Sequence, residues 1–241
     1  VLGQLTLNKQ ETTHYVYNTQ GLVTEIRQGN LDFSSANNIV KFFYNEIGHR
    51  VRKESTFNGN TNTTYYVLDA AGNAMAIYNK VGTGAITQTE LPIYGASRLG
   101  VYMKATVPTG DAKNYQITDH LGNVRAVAQR VVGSSIVSTL SYADYYPFGE
   151  QLQGRSSASN YRYAYQGQEL DPETEMEAFQ LRMWDGRLGR WLSPDPYKQY
   201  ASPYLGMGNN PINGVDPDGG FFFKEYPNAA AYYAENPNGK L

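Results

Sequence analysis

The sequence predicts an all-β protein built from antiparallel hairpins. Three observations indicate this fold class: tyrosine is abundant, turn-forming residues are frequent, and one hairpin pattern repeats. The 241 residues include 21 Tyr, 24 Gly and 11 Pro. Tyr suits half-buried pleated surfaces, because its ring packs against neighbours while its hydroxyl reaches water or backbone. Gly and Pro supply the turns between strands.

The repeated pattern is a pair of alternating segments around a turn in which Asn or Asp precedes Gly by three residues. Such a side chain can start a turn by bonding nearby backbone, and Gly accepts the positive φ that ends it. A lone hairpin is only marginally stable, so successive hairpins are expected to pair in one continuous strip. The pattern occurs at Asn18/Gly21, Asn45/Gly48, Asp69/Gly72 and Asp119/Gly122, and LPIYGASRLGVYM (residues 91–103) is interpreted as a degenerate copy.

Within each hairpin, alternating residues should face a common interior, as predicted for Tyr15, Tyr17, Val23 and Ile26. His120 falls at a turn tip and is predicted to have no chemical role. With no Cys and three scattered His, neither a metal nor a cofactor is expected. A net charge of −2 does not favour nucleic acid, and no apolar run approaches the roughly 20 residues of a membrane span.

Two later segments allow both helix and strand. ELDPETEMEAFQLRMW (169–184) is rich in helix formers, but its apolar residues alternate after Asp171-Pro172, so a hairpin is predicted. NAAAYYAE (228–235), with Asn228 as the N-cap, is predicted to be a short helix near the C-terminus.

The repeat unit resembles the YD repeat of the Rhs/YD-repeat family, which includes polymorphic toxins, toxin-complex shells and teneurins. The specific matches to its repeat-associated core domain are TDHLGNVRAV, YYPFGE, YAYQGQELD, WDGRLGRWLSPDP and LGMGNNPINGVDPDG. The resemblance implies a strip that curls into a hollow cocoon, a barrel-like shell around a C-terminal domain. It divides the chain into YD hairpins (1–114), the core domain that closes the shell (115–220) and the start of a variable C-terminal region (221–241).

Asp195 and Asp216, each followed by Pro, are the candidates for chemistry. Asp-Pro is also an ordinary turn former, and composition alone favours that interpretation. The resemblance implies an aspartic-type dyad that cuts its own chain after P-x-x-x-x-D-P-x-G-L. Here residues 211–219 reproduce the motif, but Gly220 replaces its Leu; if that Leu seats the scissile bond, cutting should be slow or absent. The predicted site comprises catalytic Asp195, Asp216 and Arg190, a cleavage site at Gly219, Gly220 and Phe221, and supporting Asp185, Asn209 and Asn210.

The function implied is a shell that encapsulates or presents a C-terminal effector and cleaves itself once near Gly220. Its partners would be its own effector region and secretion-system or cell-surface proteins, and its location would be secreted or on a bacterial cell surface. The alternative is a structural or adhesive surface scaffold without active self-cleavage. A hydrolase acting on external substrates ranks last, because the common serine, phosphate-binding and zinc motifs are missing.

Overall fold

The computed structural model describes residues 3–29, 38–104, 110–157 and 161–223. Within them, β-strands dominate and helix is limited to two short 3₁₀ turns, Tyr165–Gly167 and Met207–Asn209. The predicted all-β class is therefore confirmed. The helix expected with Asn228 as its N-cap lies outside the described residues. In the described part of the chain, no helix has the length and apolar character needed to span a membrane.

The strands form two sheets in which hydrogen-bonded neighbours follow sequence order. The larger sheet contains thirteen strands and the smaller contains four, and the pairings along them are antiparallel. The larger sheet comprises β1 Leu7–Asn8, β2 Thr13–Tyr17, β3 Val23–Gln28, β4 Asn38–Tyr44, β5 Arg50–Phe57, β6 Asn60–Leu68, β7 Ala74–Val81, β8 Thr87–Tyr94, β9 Arg98–Met103, β10 Ala112–Thr118, β11 Val124–Val131, β12 Ser138–Tyr145 and β13 Gln151–Ser156. The smaller comprises β14 Glu169–Asp171, β15 Met176–Ala178, β16 Met183–Asp185 and β17 Arg190–Trp191.

The four predicted Asx–Gly turns share one hydrogen-bond pattern. At Asp69, the backbone N–H donates to the carbonyl of Asn73 at 2.9 Å, and the Gly72 N–H donates back to the Asp69 carbonyl at 3.1 Å. The Asp69 carboxylate also accepts the N–H groups of Ala71 and Asn73, at 2.9 and 2.8 Å. Gly72 has φ +89°, which an L side chain rarely adopts. The turns at Asn18, Asn45 and Asp119 repeat the backbone bonds.

The degenerate copy is a hairpin with a different turn. β8 pairs with β9, and the register brings Tyr94 opposite Arg98, so three residues form the connection. The Gly95 N–H donates to the Ser97 carbonyl at 2.8 Å instead of closing the Asx–Gly pattern. The hairpin is kept although the turn chemistry has changed.

Contacts divide the chain into two compact units. The repeat unit comprises residues 6–117 and 126–141, and the C-terminal unit comprises residues 1–5, 118–125 and 142–241. In the repeat unit, Tyr15, Val23 and Ile26 are buried as predicted, with 1–3% of their surface exposed, whereas Tyr17 at the end of β2 is only half-buried.

The C-terminal unit is organised around an aromatic cluster. The rings of Trp184 and Phe179 each meet the ring of Trp191 edge-on, with centroids 4.9 Å apart. The Trp184 indole N–H donates to the carbonyl of Phe148 at 2.8 Å, so its polar group is satisfied inside the core. The cluster consists of Tyr165, Phe179, Trp184, Trp191, Met207 and Phe222.

The segment 169–184 contains β14, β15 and the start of β16 instead of a helix, as predicted, while residues 179–182, where the alternation lies, connect β15 to β16 outside the strands. β14 and β15 make a hairpin, and the N–H groups of Thr174 and Glu175 donate to the Asp171 carbonyl at 3.1 and 2.8 Å. Glu175, at the end of this turn, adopts φ +58°. The turn therefore keeps a glycine-type conformation at the cost of backbone strain.

Candidate functional site

The candidate site is a cluster of buried charges in the C-terminal unit. Asp195 follows β17, Asp216 lies in the last described segment, and Arg182 immediately precedes β16. A backbone hydrogen bond of 2.8 Å from Leu181 N–H to the Asp218 carbonyl joins two of these segments. Arg182, Asp195 and Asp216 are only 4%, 6% and 1% exposed, so their charges must compensate one another rather than rely on water.

Asp195 is held by the backbone that follows it. Its Oδ1 accepts the N–H of Tyr197 at 2.9 Å, and its Oδ2 accepts the N–H of Gln199 at 3.1 Å. The Asp195 N–H donates to the Pro203 carbonyl at 2.8 Å. Both carboxylate oxygens are thus fixed by backbone, and the group cannot rotate without losing these bonds.

Asp216 is held in the same way beside the predicted cleavage site. Its Oδ1 accepts the N–H groups of Gly219 and Gly220 at 2.8 and 3.1 Å. Its own N–H donates to Gln166 Oε1 at 2.8 Å, and Asp218 Oδ1 accepts the Gly220 N–H at 2.8 Å. The two glycines that the motif marks for cutting are therefore bound directly by the Asp216 carboxylate.

Arg182 connects the two aspartates. Its Nη2 lies 3.7 Å from Asp195 Oδ1 and 3.8 Å from Asp216 Oδ2, and its Nε donates to the carbonyl of Gly219. The guanidinium stacks 4.2 Å above the Trp191 ring, a favourable cation–π arrangement. Its Nη1 is buried and has no hydrogen-bond partner. One cation therefore contacts both carboxylates and the backbone carbonyl of the predicted cleavage segment.

Burial changes the proton affinity of these groups. Removal from water raises the pKa of Asp216 to about 7, although Arg182 and the N–H groups of the glycines act in the opposite direction. Nearby Asp218 raises the Asp216 pKa further. Burial also lowers the pKa of Arg182. A carboxyl that titrates near neutral pH can hold a proton while its neighbour is ionised, which is the requirement for acid–base chemistry.

The cation beside the aspartates is Arg182 and not the predicted Arg190. Arg190 is exposed, and its guanidinium donates to the Gly189 carbonyl at 2.7 Å and to Asn209 Oδ1 at 3.2 Å. Arg190 lies in the motif WDGRLGRW, which carries the family resemblance, whereas Arg182 lies in an alternating stretch with no motif around it. Only the fold, which brings residues 181 and 218 together, identifies it.

The predicted supporting residues have other bonding partners. Asp185 is completely buried, and its carboxylate accepts the side chain and the N–H of Arg187 and the N–H of Leu188. Asn209 accepts from Arg190, and Asn210 Oδ1 accepts from Asn213 Nδ2 at 2.8 Å. These bonds organise local turns, so a role at the aspartate pair remains a prediction without a direct contact.

The position of the missing Leu has no room for a side chain. A Cβ on Gly220 would lie 2.5 Å from the Tyr197 ring and 2.8 Å from Leu181 Cδ1. Gly219, with φ +83°, would place a Cβ 2.8 Å from that of Phe179. Both glycines are therefore required by the packing around them, and a larger residue at 220 would force Tyr197 to move.

Paired hairpins with Asx–Gly turns define the class of this protein as a YD-repeat β-sheet protein. A family model described as the teneurin YD-shell matches residues 3–207. The chain therefore belongs to the teneurin YD-shell family, and the resemblance to Rhs/YD-repeat proteins is confirmed. The matched range contains Arg182 and Asp195 but ends before Asp216.

Two relatives with similar sequences are much longer than this chain. Salivary gland surface protein 1 of Aedes aegypti is 29% identical over 204 residues, which are 80% of this chain and 6% of that protein. The tRNA3(Ser)-specific nuclease WapA of Bacillus spizizenii is 30% identical over 184 residues, 73% of this chain and 7% of that protein. The chain thus spans less than a tenth of either relative.

Among solved structures, the crystal structure of TcdB2-TccC3-Cdc42 superposes with a TM-score of 0.72. The match covers 90% of this chain and 10% of that chain, at 20% identity. At this identity the likeness establishes a shared fold.

Proposed function

We propose that this chain is a shell-forming segment of an Rhs/YD-repeat protein that encapsulates or presents a C-terminal effector and cleaves itself between Gly219 and Phe221. The observation that carries the proposal is the contact of buried Arg182 with Asp195, Asp216 and the Gly219 carbonyl. A purely structural turn needs neither a second buried carboxylate nor a cation on the adjacent carbonyl.

The contacts support the following proposed role for each group. Arg182 polarises the Gly219 carbonyl and stabilises the negative charge that develops on its oxygen. Ionised Asp195 takes a proton from a water molecule whose oxygen attacks the carbonyl carbon. Protonated Asp216 gives its proton to the nitrogen of residue 220 as the C–N bond breaks. The products are a carboxyl group on Gly219 and an amino group on Gly220, and the dyad ends with its proton on Asp195.

The cut is assigned to Gly219–Gly220, one bond before the position that the resemblance implies. Both polar atoms of this peptide are already bound, the carbonyl by Arg182 and the N–H by Asp216 and Asp218. Because the reacting groups belong to one chain, proximity replaces substrate binding, and a single turnover completes the reaction.

The effector part of the proposal is supported by the relatives. WapA carries a nuclease name although the matched region is 7% of its length, so its activity and this fold occur in one protein. We propose an analogous arrangement here, with an effector beyond the described residues and a secreted or cell-surface location. Partners would be that effector and proteins of the secretion route or cell surface.

The test is a denaturing gel with intact-mass measurement on the full-length native protein. The wild type should give two fragments, and Asp195→Asn and Asp216→Asn should each give one uncut band. Asp69→Asn is the matched control, because Asp69 forms the same backbone contacts on the surface; it should cut normally. Fragment masses distinguish the Gly219–Gly220 bond from Gly220–Phe221. Normal cutting in both site variants would remove the dyad assignment.

The second candidate is a surface scaffold without cleavage. It is favoured by the relative named a salivary gland surface protein and by Gly220 in place of the motif Leu. A wild-type protein that stays uncut through residues 219–221 would establish this alternative.

A further inference from the structure

Residues 221–223, just beyond the proposed cut, are bound by backbone-type hydrogen bonds to the preceding part of the chain. The Gln199 side chain donates from Nε2 to the Phe222 carbonyl at 2.8 Å, and its Oε1 accepts the Phe222 N–H at 2.9 Å. A side-chain amide that pairs with both polar atoms of one residue imitates a neighbouring β-strand.

A second residue of the segment pairs with true backbone. The Val215 N–H donates to the Phe223 carbonyl at 2.9 Å, and the Phe223 N–H donates to the Val215 carbonyl at 2.8 Å. These reciprocal bonds form an antiparallel bridge. Four hydrogen bonds thus hold two consecutive residues, with Gln199 and Val215 as their partners.

The aromatic side chains add apolar burial. Phe222 is 4% exposed and belongs to the cluster that contains Trp184 and Met207, while Phe223 is 7% exposed. The Phe221 and Phe223 rings also pack together, with centroids 5.0 Å apart. Large buried aromatic groups flanked by backbone pairing are typical of tightly bound peptide anchors.

We propose that Gln199, Val215 and the aromatic cluster form a peptide-binding site that retains the C-terminal region after the chain is cut. The inference rests on the proposed self-cleavage. Gln199, Val215 and the other members of the aromatic cluster (Tyr165, Phe179, Trp184, Trp191 and Met207) lie before Gly219, whereas the bound residues Phe222 and Phe223 lie after it. Cleavage therefore removes the covalent link and leaves this contact. The ligand class is an extended peptide with consecutive aromatic residues.

The site is also linked to the proposed dyad. The backbone N–H of Gln199 donates to Asp195 Oδ2, so the loop that supplies the anchoring amide is the loop that orients the catalytic carboxylate. Replacement of the Gln199 side chain leaves that N–H in place. The anchor can therefore be weakened while the dyad stays intact.

The experiment uses the full-length native protein and Gln199→Met, which removes both side-chain bonds with little change in volume. Native size exclusion of the cut fraction of each protein should show release of the C-terminal fragment at least tenfold faster in Gln199→Met than in wild type. A synthetic peptide of residues 220–227 added in excess should accelerate release, and the same peptide with Phe222 replaced by Asp should not. Gln20→Met is the control, because Gln20 also donates to a backbone carbonyl, at 3.3 Å, but in a repeat turn.

Hydrogen exchange separates failure of the anchor from failure of the cleavage proposal. The Phe222 amide should be protected in cut or uncut protein, and Gln199→Met should lower its protection at least tenfold. An uncut wild type would disprove self-cleavage but still allow this measurement. Unchanged protection of Phe222, or unchanged fragment release from cut Gln199→Met, would overturn the anchor.

Discussion

The turn at Asp69 in the repeat unit and the turn at Asp195 in the C-terminal unit use the same hydrogen bonds in different surroundings. In both, the carboxylate accepts the N–H groups two and four residues later. Asp69 is exposed, whereas Asp195 is 6% exposed and lies beside Arg182. A turn-forming aspartate and a candidate catalytic aspartate can therefore share one local structure. Burial beside a shared cation distinguishes the candidate catalytic aspartate.

Proton affinity shows the same contrast. Hydrogen bonds from Asn73 lower the pKa of Asp69, because they favour the charged carboxylate. Asp216 also accepts backbone N–H groups, but burial raises its pKa to about 7. Desolvation outweighs hydrogen bonding only where water is excluded. The Asp69 carboxylate therefore stays ionised in its surface turn, whereas the buried Asp216 carboxyl titrates near neutral pH.

The largest effect should come from removing the shared cation. Arg182→Leu leaves two buried carboxylates without their counterion and should destabilise the fold by about 3–5 kcal/mol. Arg190→Leu, on the surface, should change stability by less than about 1 kcal/mol. Urea unfolding at pH 7 measures both. The combined Arg182→Leu, Asp195→Asn and Asp216→Asn variant should recover much of the loss; equal destabilisation by Arg182→Leu and Arg190→Leu would contradict the buried cluster.

Next in size is the pH dependence of stability. The raised pKa of Asp216 means that its contribution is fully present below about pH 4 and is lost as pH rises through about 7. The free energy of unfolding of Asp216→Asn should therefore rise by about 2–4 kcal/mol relative to that of wild type as the pH increases from 4 to 8. Burial raises the pKa of Glu177 well above its usual value, so its contribution to stability is also lost as the pH rises. Glu177→Gln should therefore also become more stable relative to wild type as the pH rises.

Asp69→Asn is the control for this pH series. The lowered pKa of Asp69 means that its contribution is lost only as pH falls below about 4, so between pH 4 and 8 its difference from wild type should stay constant. Thermal unfolding in buffers across this range measures the slopes. Parallel slopes for Asp216→Asn and wild type would show that Asp216 titrates normally.

A smaller effect distinguishes two repeat turns from each other. Gly122 has a positive φ of +81°, and a Cβ at this position would have no atom closer than 3.8 Å. Gly122→Ala should therefore reduce the free energy of unfolding by about 1–2 kcal/mol. Gly72 has a φ of +89°, and a Cβ at this position would lie 2.6 Å from the His49 ring. Backbone strain and overpacking together should therefore reduce the free energy of unfolding of Gly72→Ala by about 2–4 kcal/mol. Chemical denaturation measures the difference, and equal costs would mean that His49 moves freely aside.

The smallest effect concerns the strained turn in the C-terminal unit. Glu175→Gly relieves a φ of +58° but increases the entropy of the unfolded chain, so it should stabilise by about 0.5–1 kcal/mol. Its ion pair with Arg187 is mostly exposed and contributes little. Glu173→Gly, which has no positive φ to relieve, should destabilise slightly. A loss of stability in Glu175→Gly would show that Glu175 is not strained.

Much of the fold could be predicted because its signals are local. The Asx–Gly spacing at Asp69 and Asp119 predicts each turn, and alternation predicts the burial of Tyr15, Val23 and Ile26. Alternation at residues 178–183, with the turn at Asp171-Pro172, predicts strands rather than helix for 169–184, and β14, β15 and β16 confirm the strands although residues 179–182 lie between them. The turn between Tyr94 and Arg98 shows the limit, since its hairpin was expected but its different turn was not.

The hairpins and the turns that join them follow from the sequence alone, because each depends on residues a few positions apart, whereas Asp195 and Asp216 are selected through the resemblance of their motifs to the family. Only the tertiary structure decided that Arg182 and not Arg190 lies between these aspartates, that Gly220 has no room for a larger side chain, and that Gln199 binds Phe222. The reason is that these contacts join residues 13 to 39 positions apart in the chain. Their energies depend on burial, which a local pattern does not reveal.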